Sequence, residues 1–221
     1  TQGSARGRRR HVGGRKVGGR EEAVTIVGMG MRVPGAQGET VEDAWRVFAD
    51  GVSATRPLPA GRAGQGSALL PAGFVEVVDA WDAAFFGVSD AEAVSVDPQQ
   101  RFVMECAWEA MRDGGVRDVA GELGGGSVGV YVGLMTHDYE TLPRQGYESP
   151  FVGTGVGLAI VSARVAYTWD LRGPTMTIDT ACSSSLVAMD LAKGALRGGA
   201  ARAALVGGVN SVSYTHLRAH E

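Results

Sequence analysis

The residue types best suited to chemistry converge on one stretch, TMTIDTACSSSLVAMDL, residues 175–191. Only two cysteines serve 221 residues. One of them, Cys182, stands where a strand-like run, 175–180, meets three serines that open a segment with helical spacing. Serine favours helix starts over interiors because its hydroxyl bonds to unpaired backbone amides. Cys182 is therefore expected near an N-cap, where the first N–H groups lack intrahelical partners and the helix dipole adds about half a positive charge. Both effects favour thiolate over thiol. A thiolate aimed out of a strand-to-helix turn is a nucleophile for acyl groups, and the same amides can hold the oxyanion. On these residues alone the other reading, a small buried hydrophobe, stays open. A nucleophilic cysteine also needs a base or electrophilic partner, usually histidine. His11 lies in a basic arm, His137 in a loop, and His216 and His220 near the last residue, so none is expected beside Cys182.

The elements that must position this sulfur are legible from periodicity. Residues 127–134 alternate like a strand, 158–167 read as a small-residue helix, and 175–180 as the next strand. A helix over 183–196 and a strand over 202–206 follow, ended by Gly207 and Gly208. Strand, helix, strand with a helix too long for a hairpin loop implies a parallel sheet, so the class is α/β. In the 183–196 helix, Leu186, Met189, Lys193 and Leu196 share a side, broadened by Val187 and Leu191. Upstream, AVTIV (residues 23–27) reads as a short strand ending at Gly28-Met29-Gly30. Thr40 with Asp43 forms a capping box for a helix carrying Val41, Ala44, Trp45 and Phe48, stopped by Gly51. Residues 52–73 read as loop. Asp97-Pro98 leads into a helix over 101–111, ended by Gly114-Gly115, with Cys106 on its apolar face as a core residue.

Composition excludes several classes. The chain is 44% hydrophobic and 20% charged, with no apolar run of membrane-spanning length, so no membrane partner is expected. Two distant cysteines without a CxxC, and no histidine cluster, argue against a disulfide framework or a zinc site and for the cytoplasm. Residues 1–21 are rich in Gly and Arg, with Arg6, Arg8, Arg9, Arg10, Arg15, Lys16 and Arg20. They read as a disordered linker rather than a nucleic-acid arm, since no aromatics interleave with the basic residues. Gly28-Met29-Gly30 is too far from the next glycine for a dinucleotide fingerprint, and Pro34 opposes a helix there.

With these residues in place, GPTMTIDTACSSSLVAM (residues 173–189) resembles the active-site motif of β-ketoacyl synthases, specifically the ketosynthase domain of modular type I polyketide synthases. The likeness extends in family order through VTIVGMGMRVPGA, FFGVSDAEAVSVDPQQR, ECAWEAMRDGG, VGVYVGLMTHDY, ARVAYTWDLRGP and ALVGGVN, over residues 22–210. The resemblance implies a thiolase-like fold of αβαβα layers, of which this is the N-terminal half, and a homodimer. It implies an acyltransferase in polyketide or fatty acid biosynthesis. Cys182 would take an acyl chain from the phosphopantetheine of an acyl carrier protein, then condense it with a decarboxylating malonyl-type extender. No cofactor would be bound by the domain itself, and further domains of a multidomain synthase would be partners. Loading modules of the family can carry glutamine where Cys182 stands, so cysteine indicates a condensing domain.

Three departures accompany the likeness. The family's two catalytic histidines and a lysine come from its second half, and no HGTGT-like or NxGH-like segment is present, so the chain is expected not to condense alone. The loop at 60–73 is shorter than the family's. Residues 211–221, SVSYTHLRAHE, leave the family pattern and resemble translated library-adaptor sequence, so a non-native tail is expected; His216 and His220 stand at i and i+4 there without a third metal ligand. The alternative function is a non-catalytic ketosynthase-like binding or chain-length partner, against which the retained Cys182 speaks. Half of a two-half fold would also leave a sheet face and edge uncovered.

Overall fold

The computed structural model describes residues 23–36, 40–57, 59, 71–75, 78, 80–141 and 149–211. The basic arm with His11, most of the loop at 60–73, and the tail from residue 212 with His216 and His220 lie outside the described residues.

The elements run α1 Val41–Ala49, β1 Thr55–Arg56, β2 Ala72–Gly73, α2 Asp90–Ala93, α3 Pro98–Asp113, α4 Val119–Leu123 and β3 Val128–Gly133. They continue with α5 Val152–Val156, α6 Leu158–Thr168, β4 Thr175–Ile178, α7 Ser184–Arg197 and β5 Ala203–Gly208. β3, β4 and β5 form one parallel sheet in the order β4-β3-β5. The α/β class and the parallel sheet hold as expected, while β1 and β2 make a small antiparallel pair inside the stretch read as loop.

The central strand explains the layering. All six residues of β3 are buried, as in a parallel sheet covered on both faces. Val130 and Val132 join the larger core with Met104, Val161 and Val165 from α3 and α6. Tyr131 points the other way and packs with Ala188 and Ala192 of α7. Helices α3 and α6 therefore cover one face and α7 the other. A satellite of aromatic rings closes the first core: Trp81 stacks on Phe86 at 5.7 Å, and Trp169 meets Phe86 edge-on at 6.1 Å.

Several local readings hold, and others need correction. The capping box of α1 is present, with the Asp43 amide donating to Thr40 Oγ1 at 3.1 Å, and Gly51 follows at φ +63°. Only Ala44 of its apolar set is buried, however; Trp45 and Phe48 are exposed. Helix α3 starts three residues earlier than read, because Pro98 takes the first helical position and Asp97 caps the Gln99 amide at 2.7 Å. Its Cys106 is half-buried rather than fully in the core.

Residues 23–27 form no strand, because a strand needs a partner and none of the described strands pairs with them. The segment crosses α3 instead. A side chain at Gly28 would strike the Ala110 carbonyl, and one at Gly30 the Cys106 carbonyl. Arg32 then grips Glu109 with two parallel bonds of 2.7 and 2.6 Å. These glycines serve close packing on a helix, which accounts for them without a phosphate.

A buried polar network ties α2, α3, α5 and α6 together. Arg164 Nε donates to Gln100 Oε1 at 2.8 Å, Nη1 to Glu92 at 2.7 Å and Nη2 to the Thr154 carbonyl at 3.1 Å. Gln100 donates onward to the carbonyls of Thr154 and Gly155. Truncating one partner of such a network strands the others in low dielectric. Arg164→Met is expected to cost about 3 kcal/mol in chemical denaturation; a loss under about 1 kcal/mol would show the network to be dispensable.

Asp97 gives a pH signature. Burial pushes its carboxyl above the ordinary aspartate range; the Gln99 amide pulls it back, and the charge of Asp138 pushes it further up. With the folded-state value raised, the stabilisation is full below the unfolded value, about 3.9, and is lost as pH rises through the folded one. Asp97→Asn keeps a capping acceptor but does not titrate. The stability of the native protein relative to Asp97→Asn should therefore decline as pH rises from the ordinary aspartate range, measured by urea unfolding at several pH values; a pH-independent difference contradicts the assignment.

Candidate active site

The carboxyl edge of the parallel sheet is where the chemistry gathers. Gly133, Ile178 and Gly208 lie abreast at the ends of β3, β4 and β5. The first turn of α7 rests on this row. A Cβ at Gly133 would lie 2.6 Å from Ser184 C and Ser185 N, and one at Gly208 would lie 2.8 Å from Ser185 Cβ. Two glycines thus let a helix terminus settle on strand ends at a distance that no other residue permits.

Cys182 lies between β4 and α7, just ahead of the N-cap Ser183, and is exposed. The expectation of a sulfur at a helix start therefore holds, and the buried-hydrophobe alternative does not. The turn that delivers it is strained: Ala181 has φ +56°, a left-handed conformation that costs a non-glycine residue about 1 kcal/mol or more.

Side chains satisfy several backbone groups of the turn. The Ala181 amide donates to Asp179 Oδ1 at 2.9 Å. The Thr180 amide donates to Ser184 Oγ at 2.9 Å, and Ser184 Oγ donates to the Ala181 carbonyl at 2.6 Å. Ser183 Oγ donates to the Thr180 carbonyl at 2.8 Å, leaving α7 without a side-chain N-cap bond. The terminus that faces an incoming group is thus not capped by its own residue.

The apolar side of α7 is not the side that meets the sheet. Ser184, Ala188 and Ala192 form its buried stripe, while Leu186, Met189 and Leu191 are exposed. Small residues face the sheet because the glycine row demands close approach.

His137 is exposed in the loop just beyond β3, at the same sheet edge as Cys182. Beside β4 a cleft of about 640 Å³ opens, lined mostly by apolar groups including Leu134, Leu158, Ala163 and Met176, with Asp179 at its rim shared with the turn. Among the described residues no group of three His, Cys, Asp or Glu side chains could hold a metal, and no described helix is long and apolar enough to cross a membrane.

Sequence reasoning singled out Cys182 but missed Asp179, Ala181, Ser184, Gly133 and Gly208. Aspartate two residues before a turn amide, and glycine ending two of the three strand runs, were the available signals; nothing local marks Ala181 for a positive φ.

Comparison with known proteins agrees with this geometry. The family model of the β-ketoacyl synthase N-terminal domain matches residues 21–219. The chain is 42% identical to polyketide synthase GfsE of Streptomyces halstedii over 205 residues, which cover 86% of this chain and 5% of that protein. It is 43% identical to the pikromycin polyketide synthase component PikAII of Streptomyces venezuelae over 209 residues, covering 87% of this chain and 6% of that one. Among solved structures, the ketosynthase from module 6 of the bacillaene synthase of Bacillus subtilis 168 superposes with a TM-score of 0.75 at 32% identity, covering 86% of this chain and 32% of that chain. The chain thus spans about a twentieth of the curated relatives it matches and about a third of that ketosynthase.

The glycine row has a measurable consequence. Gly133→Ala must push the first turn of α7 off the sheet, at a cost of about 2 kcal/mol in urea unfolding. Cys182 should react more slowly with an acyl thioester in the same variant. Native stability and native reactivity together would show that the close approach is not needed.

Proposed function

Because this chain belongs to the β-ketoacyl synthase family through its N-terminal domain, we propose that it supplies the acyl-accepting nucleophile of a decarboxylative Claisen condensation in polyketide or fatty acid assembly. The observation that carries this reading is exposed Cys182 at the strained turn before α7. It is an acyltransferase reading, of the class of β-ketoacyl-acyl-carrier-protein synthases.

The Cys182 thiolate attacks the carbonyl carbon of an acyl group held as a thioester on the phosphopantetheine arm of an acyl carrier protein. The tetrahedral oxyanion is met by amide N–H groups at the start of α7, which are pre-oriented and require no reorganisation. Collapse breaks the old carbon–sulfur bond, and the pantetheine sulfur leaves as a thiolate and takes up a proton. The apolar cleft beside β4 is assigned to part of the acyl chain. A malonyl-type extender on a carrier then releases carbon dioxide. The electron pair left behind, as an enolate, attacks the Cys182 thioester, forms the carbon–carbon bond and expels the cysteine thiolate.

The domain runs over residues 22–210 in this reading, with 1–21 a linker and 211–221 outside it. Decarboxylation and enolate stabilisation are assigned to histidines and a lysine of a second half, so the 221-residue chain alone stops at the acyl-enzyme. The partners are the carrier protein, further synthase domains, and a second copy meeting at β4, which is an edge strand of the sheet with Thr175 and Met176 exposed. The setting assigned is the cytoplasm.

Incubation with an activated acyl thioester, followed by intact-mass and peptide mass spectrometry, tests the reading. One acyl group is expected on Cys182 and none on Cys182→Ala, with no β-keto product when malonyl-loaded carrier is added. Equal labelling of Cys182→Ala would overturn the assignment of the nucleophile, and a condensed product would overturn the division of labour.

A further inference from the structure

Three serines follow Cys182, and the structure gives them three different surroundings. Ser183 and Ser185 are exposed, whereas Ser184 is 5% exposed and lies directly against Gly133 of the central strand. Ser184 is also the residue whose hydroxyl closes both sides of the turn. It accepts from the Thr180 amide at 2.9 Å and donates to the Ala181 carbonyl at 2.6 Å. Those two groups flank the left-handed Ala181. A strained residue persists only where its surroundings over-determine it. Here the over-determination comes from Asp179 on the Ala181 amide and from Ser184 on the groups either side.

Resting on the acyl-transfer reading, we infer that Ser184 is a positioning residue: its buried hydroxyl locks the Thr180–Ala181 turn and thereby fixes the direction of the Cys182 sulfur relative to the first amides of α7. Ser184 itself touches no reacting atom. The lock has a specific chemical consequence. Attack on a thioester creates an oxyanion that must meet oriented N–H donors, whereas alkylation of the sulfur by a small halide creates none. Loosening the turn therefore slows acylation while leaving alkylation of an exposed thiol nearly unchanged.

The test compares Ser184→Thr with Ser184→Val in the full chain. The two side chains have the same shape and differ in the hydroxyl, so any steric effect of the extra methyl group on Gly133 is common to both. Acylation of Cys182 by an acyl N-acetylcysteamine thioester is expected to be at least tenfold slower in the valine variant than in the threonine variant. Alkylation by iodoacetamide should stay within threefold between them. Hydrogen exchange at the Thr180 amide, which loses its acceptor, is expected to be at least tenfold faster with valine. Equal acylation of the two variants, parallel loss of acylation and alkylation, or equal exchange at Thr180 would overturn the inference. Failure of the native chain to acylate at all would sink the acyl-transfer reading instead, while the Thr180 exchange comparison would still decide whether the hydroxyl holds the turn.

Discussion

The distance between the first turn of α7 and the strand ends beneath it is the quantity on which the site depends. Gly133 and Gly208 remove the side chains that would keep the helix away, and Ser184, Ala188 and Ala192 remove bulk from its sheet-facing stripe. Glycine in a strand interior weakens pairing, and small helix residues bury little apolar area. These costs fall on β3 and β5, which hold the glycines, and on α7, whose start follows Cys182, and what they achieve is geometric. A helix terminus seated on the sheet brings its amides and its dipole to the end of β4. The chain must then rise from strand to helix within a few residues, which forces Ala181 into left-handed backbone and turns the next residue outward.

On the other face of the sheet, where α3 and α6 build the larger apolar core, polar contacts fix the loops. Gln99, 1% exposed, donates to the Thr136 carbonyl at 2.9 Å and accepts from the Ser211 amide at 2.9 Å. One buried amide thus ties the loop after β3 to the chain leaving β5. Thr136 and Asn210 add a side-chain bond of 2.7 Å between the same two segments. Gln100, the next residue, receives Arg164 and anchors α5. Adjacent glutamines on the first turn of α3 therefore organise opposite loops. A buried network of this kind is expensive unless satisfied, and once satisfied it permits a single arrangement. The carboxyl edge of the sheet is fixed from below by glycines and from behind by amides.

How much of this the sequence disclosed follows from the range of each interaction. The strands β3, β4 and β5, the helices α6 and α7, and the capping box of α1 are set by periodicity and by contacts three or four residues apart, so they were legible within a residue or two. The segment at 23–27 has strand composition, yet a strand exists only with a partner, and its glycines instead fit the backbone of α3. On α7 the largest apolar residues mark one side in the sequence, whereas the sheet takes the side with the smallest. Three identical serines carry no local mark of which one turns back to the backbone, because the presence of Gly133 beneath Ser184 is a long-range fact. Cys182 was legible because a thiol at a strand-to-helix junction is unusual whatever surrounds it. The turn that aims it was not.

Helix α7 carries small residues toward the sheet and Leu186, Met189 and Leu191 away from it. The same helix carries an exposed ion pair between Lys193 and Asp190 at 2.9 Å, so its outward side mixes apolar and charged groups. This disposition bears on how the proposed reaction divides. Accepting an acyl group requires a sulfur, oriented amides and room for a chain, all of which are local to the junction of β4 and α7. Losing carbon dioxide from an extender requires cations and proton donors aimed at a second substrate, a task separate from holding the acyl chain.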